Sequence, residues 1–512
     1  MAINRWLRAT LCLLTLLASF GFLAWFLPRA LNPTETSPEK RREDSLWIET
    51  SPHPLDRFAC RWLSLCGLHH LRSDPAVALD PASSVFVQHE LRRRDGLDAV
   101  DYGGRPPRNT RRDDSRSSFR KRLTKTKRRI IKQVPDFVLR HAPYVHLSSD
   151  EEFWPSDLAH HLAHMNATDK HGKPLQDDYL DSIALDRLDE LDADVTLHSR
   201  DNVEARPAWL YSRDGIPQGH QDDDDDDDDG KTHPAQSIAS PHLERTTWFD
   251  ADKAHPPHRL AYPSVPSQQQ HDPLLLLLRR RGHKPDEKGR SSAPAVLILV
   301  DKGSGILDAF WFFFYSYNLG QTVVGLRFGN HVGDWEHCMV RFQHGIPRGL
   351  YLSEHEGGQA YAWSAVEKSA DGNRPVVYSA LGSHAMYALP GDHPYVLPFG
   401  LLKDVTDRGP LWDPALNNLA YHYDYTRDDD QALDPATSNP SAPTSWFHFA
   451  GRWGDAVYPL ADGRQWRLFG QYHYVTGPSG PKFKHLHRSR LCSAEGKMCR
   501  LLYQLDPKGT WY

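Results

Sequence analysis

The chain has 512 residues, 39% hydrophobic and 25% charged, with 38 Pro and 34 Gly. That apolar share is low for one compact globule, so part of the chain is expected to lie outside any core. Net charge is −5, with eight negatives in one run at 222–229, which marks no nucleic-acid partner, and six Cys exclude a dense disulfide scaffold.

Residues 9–27, ATLCLLTLLASFGFLAWFL, carry no charge. A helix of that length spans about 28 Å, close to the hydrocarbon thickness of a bilayer. Arg5 and Arg8 precede it and Pro28-Arg29 ends it. The segment is long for a cleaved signal and its cleavage pattern is weak, so residues 1–30 are expected to form a single-pass anchor. The expected orientation leaves a short N-terminus in the cytosol and the C-terminal domain in a lumen.

Residues 31–132 are expected to be a disordered linker. Its last part, 105–132, has 13 Lys/Arg against two Asp. Poor apolar spacing favours a solvated stretch over a lipid-binding helix.

Order is expected from 133. PDFVLRHAPYVHLSSDEEFWPSDLAHHLAHM suggests a short strand and then a helix. Pro155 would sit in its first turn, with Leu158, Leu162 and Met165 as the apolar stripe. His160 and His164 have a spacing that can hold a metal, but with no third ligand near, a solvated face explains them better. Asn166-Ala167-Thr168 is a glycosylation sequon. The region near 215–292 reads as a disordered acidic insertion.

From 295 onward, aromatic and β-branched runs alternate with Gly/Pro/Asp turns. The expected fold class is mainly β (α+β), an antiparallel β-sandwich with flanking helices over 133–512. Cys492 and Cys499 can bridge in an oxidising compartment, whereas Cys338 reads as a small buried hydrophobe.

The most informative stretch is GNHVGDWEHCMVRF, beginning at Gly329. In a strand, Asp334, Glu336, Cys338, Val340 and Phe342 share one face. The carboxylates then lie at the end of the sheet where the core opens, and His331 can fold over them. Two carboxylates and an imidazole suit Ca²⁺ or Mg²⁺. Residue chemistry serves equally well an ion pair in which Arg327 neutralises the carboxylates, since Arg341 points the other way. A second cluster, SALGSHA followed by GDH, offers His384 and Asp392 as further site residues. His384 and His355 serve equally as turn histidines. Ser383-His384 is no catalytic dyad, because neighbours on a strand face opposite ways.

The chain resembles the vacuolar protein sorting-associated protein 62 family in ordered blocks: PDFVLRHAPYVHL with FWPSDLAHHLAH, WFFFYSYNLG, GNHVGDWEHCMVRF, RPVVYSALGSHAMYALPGDH, LLKDVTDRGPLWDPALN, GRWGD and GPSGPKFKHLHRSRLC. These cover most of 134–197 and 295–492. The resemblance implies a part in delivering proteins to the vacuole, and often one N-terminal membrane segment. GNHVGDWEH is also similar to the GHRHDWE heptapeptide of the necrosis- and ethylene-inducing-peptide-like toxins. Those are β-sandwich proteins that bind a divalent cation and act on membranes through glycosylated sphingolipid headgroups. That similarity implies metal ligands at His331, Asp334 and Glu336, with Asn318 standing for an upstream Asp. Val332 and Gly333 depart from the motif.

The expected function is therefore a membrane-anchored, non-enzymatic protein of vacuolar sorting, in the endomembrane system or vacuole. Its expected partners are the membrane and a lipid or glycan headgroup, held with Ca²⁺ or Mg²⁺, and no nucleic acid. One alternative is a metal-dependent hydrolase with Asp334 or Glu336 as base and His384 as acid. Another is a sandwich whose polar cluster only holds a loop.

Overall fold

The computed structural model describes residues 2–31, 38–72, 132–169, 172–175, 184–212, 283–355, 357–394, 402–427, 430–492 and 499–505. The 222–229 run, most of the expected insertion and nearly all of the basic 105–132 stretch lie outside the described residues.

The fold is mainly β with a few helices. Strands β1 (Ala295–Gly303), β2 (Ile306–Asn318), β3 (His331–Gln343), β4 (Ile346–Glu354) and β5 (Gly357–Ala362) form an antiparallel meander. Strand β6 (Asn418–Tyr423) returns parallel to β1, and β7 (Leu433–Pro435) pairs with β6. Strand β8 (Leu501–Leu502) runs parallel to β5. The eight-stranded order is β7-β6-β1-β2-β3-β4-β5-β8.

The unbroken aromatic run in β2 has a physical cause. Trp311, Phe313 and Tyr315 enter one core cluster, while Phe310, Phe312 and Phe314 enter another on the opposite face. A strand buried on both faces has no polar alternation. Burying each of these rings contributes about 1.5–3 kcal/mol. A four-stranded sheet, Met386–Tyr387, Val376–Ser379, Tyr144–His146 and Leu411–Trp412, supplies Met386, Val377, Val145 and Trp412 to the first cluster. The opposite face is covered by Leu158, Leu162, Trp209, Trp446 and Trp453.

The expected helix after Pro155 is shorter than its apolar stripe suggests. It spans Leu158–Ala163, with the Asp157 side chain accepting from His160 N–H. Met165 is buried, but from a strand, Met165–Thr168.

The N-terminal region needs two corrections. Helix α1 covers Ala2–Leu31, and its described side chains between Thr10 and Phe26 are exposed. Among the described residues, however, no helix is long and apolar enough to cross a membrane, so the expected span is not established there. The expectation of a disordered linker fails at 38–72. Helices α2 (Pro38–Thr50) and α3 (Pro54–Leu63) lead into a three-stranded sheet of Leu65–Cys66, Arg467–Leu468 and Gln471–Tyr472. A disulfide joins Cys60 to Cys66, which form a satellite core with Trp47 and Leu460. Asp44 pairs with Arg467 at 2.6 Å. This order comes from contacts with residues some four hundred positions away, which local composition does not reveal.

Candidate functional site

The register of β2 and β3 sets Asn318 opposite His331, Tyr315 opposite Asp334 and Phe313 opposite Glu336. Alternation along β3 carries Asp334 and Glu336 onto the face where Cys338, Val340 and Phe342 are buried. Gly333 breaks the regular strand with φ +68, and a Cβ there would lie 2.3 Å from the Trp453 carbonyl oxygen. Only glycine fits both demands.

His331 places Nδ1 2.7 Å from the Gly333 carbonyl oxygen. That carbonyl can only accept, so Nδ1 carries the hydrogen. Burial lowers the His331 pKa, and the Asp334 charge only partly offsets this. In the neutral ring Nε2 holds the lone pair.

Asp334 is 4% exposed. Its Oδ2 accepts from Asn318 Nδ2 at 3.0 Å and faces His384 Nδ1 at 3.0 Å. Asn318 Nδ2 also donates to the Ser383 carbonyl at 2.9 Å. His384 is fully buried at φ +56, with Nε2 3.1 Å from the Phe153 carbonyl oxygen and 3.6 Å from Glu151 Oε1. Its ring stacks on Tyr315 with centroids 3.6 Å apart. Both ring nitrogens face acceptors, which suits an imidazolium. Burial opposes that charge, but Glu151 and the hydrogen bond to Asp334 push the pKa up to about 9. For Asp334, burial likewise opposes ionisation, yet His384 and His331 hold its carboxyl below the usual range.

Glu336 is also buried, and the Ser353 hydroxyl donates to it. Burial, then the Asp334 charge, pushes its pKa up to about 8. On β4, Glu354 is raised well above the carboxylate range by burial, then by Asp404 and Glu336.

Asp404 is a second hub. It is fully buried and accepts from Gln321 Nε2 at 2.8 Å, Ser383 Oγ at 2.7 Å and Tyr387 Oη at 2.7 Å. His355 Nε2 stands 2.7 Å from Asp404 Oδ2. Burial works against charge on His355, but Asp404 pushes the pKa up to about 9.

The structure thus joins Asn318, Asp334 and His384 directly, with Glu336 two residues along β3 and His331 at its start. Asp392 is not among them. It is exposed on the Gly391–Pro394 strand and pairs with Lys403 at 2.5 Å. Arg327, the arginine expected as neutraliser, donates to the Gly320 carbonyl at 2.6 Å, and Arg341 grips Asp308 with two hydrogen bonds at 2.6 and 2.7 Å. His384 does the neutralising. Elsewhere, His160 and His164 bring their Nε2 atoms to 3.2 Å, and His164 stacks on Trp209.

The donor set fits a hard divalent cation in kind: carboxylate oxygens and one imidazole nitrogen. Its spacing is open. Among the described residues, the group of three whose donors gather within 4.8 Å is Asp44, Cys60 and Cys66, and those two sulfurs form a disulfide. His331, Asp334 and Glu336 are not drawn together to that degree.

Sequence reasoning missed Glu151, Ser353, Glu354 and Asp404. The local alternation hid Asp404. In the strand Lys403–Thr406, Asp404 and Thr406 are buried while Val405 is 36% exposed, an inversion of the usual alternation.

A family model described as vacuolar protein sorting-associated protein 62 matches residues 307–417, the stretch holding Asn318, Asp334, Glu336, His384 and Asp404. The chain is 37% identical over 386 residues to a Saccharomyces cerevisiae protein provisionally named vacuolar protein sorting-associated protein TDA6, covering 71% of this chain and 70% of that one. It is 33% identical over 379 residues to vacuolar protein sorting-associated protein 62 of the same yeast, covering 70% and 68%. Among solved structures, it overlaps Necrosis and Ethylene inducing Protein 2 from the agent of cocoa's Witches Broom disease. There the identity is 19%, coverage is 19% of this chain and 45% of that one, and the TM-score is 0.15, too slight an overlap to carry an argument.

Proposed function

Since this chain belongs to the vacuolar protein sorting-associated protein 62 family, we propose that it acts in vacuolar protein sorting as a membrane-tethered, non-enzymatic protein. Its β-domain takes a lipid or glycan headgroup through a divalent cation held by His331, Asp334 and Glu336. The observation that carries this is the surplus of buried acid: Glu151, Asp334, Glu336, Glu354 and Asp404 are all buried, against the two raised histidines His384 and His355. Burial and neighbouring acids push Glu336 up to about 8 and Glu354 well above the carboxylate range, and Lys484 and His355 offset this only in part at Glu336. A cation is the natural replacement for the protons these two carboxyls keep.

The uncharged run 9–27 within α1 supplies the tether, with leucine and phenylalanine side chains exposed along it. A lumenal position for the domain is supported by its two disulfides, Cys60–Cys66 and Cys492–Cys499, which persist in oxidising compartments. A hydrolase is disfavoured, because His384 is fully buried with both ring nitrogens engaged and has no edge for substrate.

The test is a calcium and magnesium titration of the full chain, followed by thermal unfolding. Binding should stabilise by about 2.7 kcal/mol at a hundredfold excess over Kd. Glu336→Gln should remove the shift. A wild-type melting temperature that ignores both ions would sink the cation reading.

A further inference from the structure

Helix α3 leaves three large apolar side chains in solvent: Leu55 is 82% exposed, Phe58 58% and Trp62 62%. They recur at i, i+3 and i+7, so they form one stripe along the helix. The opposite side of α3 is committed. Asp56, Ala59 and Cys60 are buried, and Cys60 is tied to Cys66. The helix therefore cannot roll over to hide the stripe. Helix α1 packs beside α3, and the exposures persist with α1 in place. Leu46 of α2, 62% exposed, adds to the apolar surface.

The exposed charges near this stripe are mainly cationic, with Glu49 the one exposed acid among the described side chains of α2 and α3. Arg57 and Arg61 flank it at i, i+4, and Arg41 and Arg42 of α2 are exposed. Two nearby acids are turned inward, Asp44 onto Arg467 and Asp56 onto His69. A helix with an exposed Leu/Phe/Trp stripe bordered by arginines has the make-up of one that lies in a bilayer interface. Trp in particular settles at headgroup level.

We infer that α3 lies flat on the membrane, with Leu55, Phe58 and Trp62 in the boundary between anionic headgroups and acyl chains. The inference rests on α1 as the tether, and the packing of α3 beside α1 identifies the occupant as that same bilayer. Docked this way, α3 fixes the height and tilt of the β-domain, since Cys66 and the strand Leu65–Cys66 bind it to Arg467–Leu468.

The test uses the full chain with Cys12→Ser and Phe58→Cys, labelled with a nitrobenzoxadiazole fluorophore. Cys338 is buried and the other four cysteines are paired, so the label is specific. A matching label at Val324→Cys, a site 90% exposed on the hairpin of 321–328, serves as control. Both are mixed with vesicles of phosphatidylcholine and phosphatidylserine containing a doxyl-labelled lipid, then floated. Severalfold stronger quenching at 58 than at 324, weakened when phosphatidylserine is omitted, is the expected result. Flotation without quenching at 58 would overturn the α3 placement and keep the tether. Failure to float would overturn both. Energy transfer between labels at 58 on separate chains would identify a second copy as the occupant and overturn the membrane.

Discussion

His384 and Asp334 meet at 3.0 Å in a site that exposes 0% of one and 4% of the other. Neither side chain belongs to a strand pair that would bring them together by register. The pair instead joins β3 to the turn at 380–385, and through the His384 Nε2 contact to the Phe153 backbone. Removing one partner strands a charge in the interior, which typically costs about 3–5 kcal/mol. Asp334→Asn and His384→Ala should each lower urea-unfolding stability by that order. The double variant should lose clearly less than the two losses added. Strict additivity would show that the pair is not coupled.

The buried titrating groups predict stability against pH. Glu336 goes from an ordinary 4.5 to about 8 in the folded chain, so between those values the native state holds a proton that the unfolded state has lost. Stability therefore falls as pH rises through that window. His384 and His355, raised from 6.5 to about 9, contribute fully below pH 6.5 and lose that contribution up to pH 9. These three act in the same direction, but the lowered histidines His161, His331, His337 and His393 add stability as pH rises towards 6.5, so the drop in melting temperature is expected above that, between about pH 7 and 9. Glu336→Gln should flatten the acid side of that decline, and a rising profile would refute this account.

The same protons couple to cation binding. A divalent ion at Asp334 and Glu336 must displace the Glu336 proton. Calcium should then stabilise the chain more at pH 8 than at pH 6, and its uptake should release protons measurable in weak buffer. Equal shifts at both pH values would place the ion elsewhere.

Gly333 should tolerate nothing larger. Its φ of +68 alone costs a side chain about 1 kcal/mol, and the Trp453 carbonyl 2.3 Å from the Cβ position adds a clash. Gly333→Ala should be destabilised by more than that. It should also disturb His331, whose Nδ1 rests on the Gly333 carbonyl. Near-native unfolding of the variant would contradict this.

The Cys60–Cys66 bridge closes a short loop, with a sequence separation of 6, and should contribute about 2 kcal/mol. Cys60→Ser/Cys66→Ser should release 38–72 to proteolysis well before the β-domain. Simultaneous digestion of both would show that the two unfold as one unit.

Much of this was legible in the residues. The run Trp311–Tyr315 announces a strand buried twice over, and the alternation from Asp334 to Phe342 places two acids beside a core. What escaped is what arrives from far along the chain. Glu151 and Asp404 come in this way, Asp404 on a strand that buries its polar side, whereas Asn318 and His384 were expected and only their routes to Asp334, through β2–β3 register and a left-handed turn residue, were not. The packing of 38–72 onto 460–472 depends on partners some four hundred positions away, which no local pattern reveals.

Strand β8 closes the open side of the eight-stranded sheet. Leu501 and Leu502 pair with Ala360 and Tyr361, and Gln359 Nε2 donates to the Arg500 carbonyl at 3.1 Å. The Cys492–Cys499 bridge moors the segment just before it. An uncapped β5 would offer its backbone to any passing extended chain. The segment thus works as a stopper against edge-to-edge polymerisation, and reducing the half-buried Cys492–Cys499 bridge would be enough to loosen it.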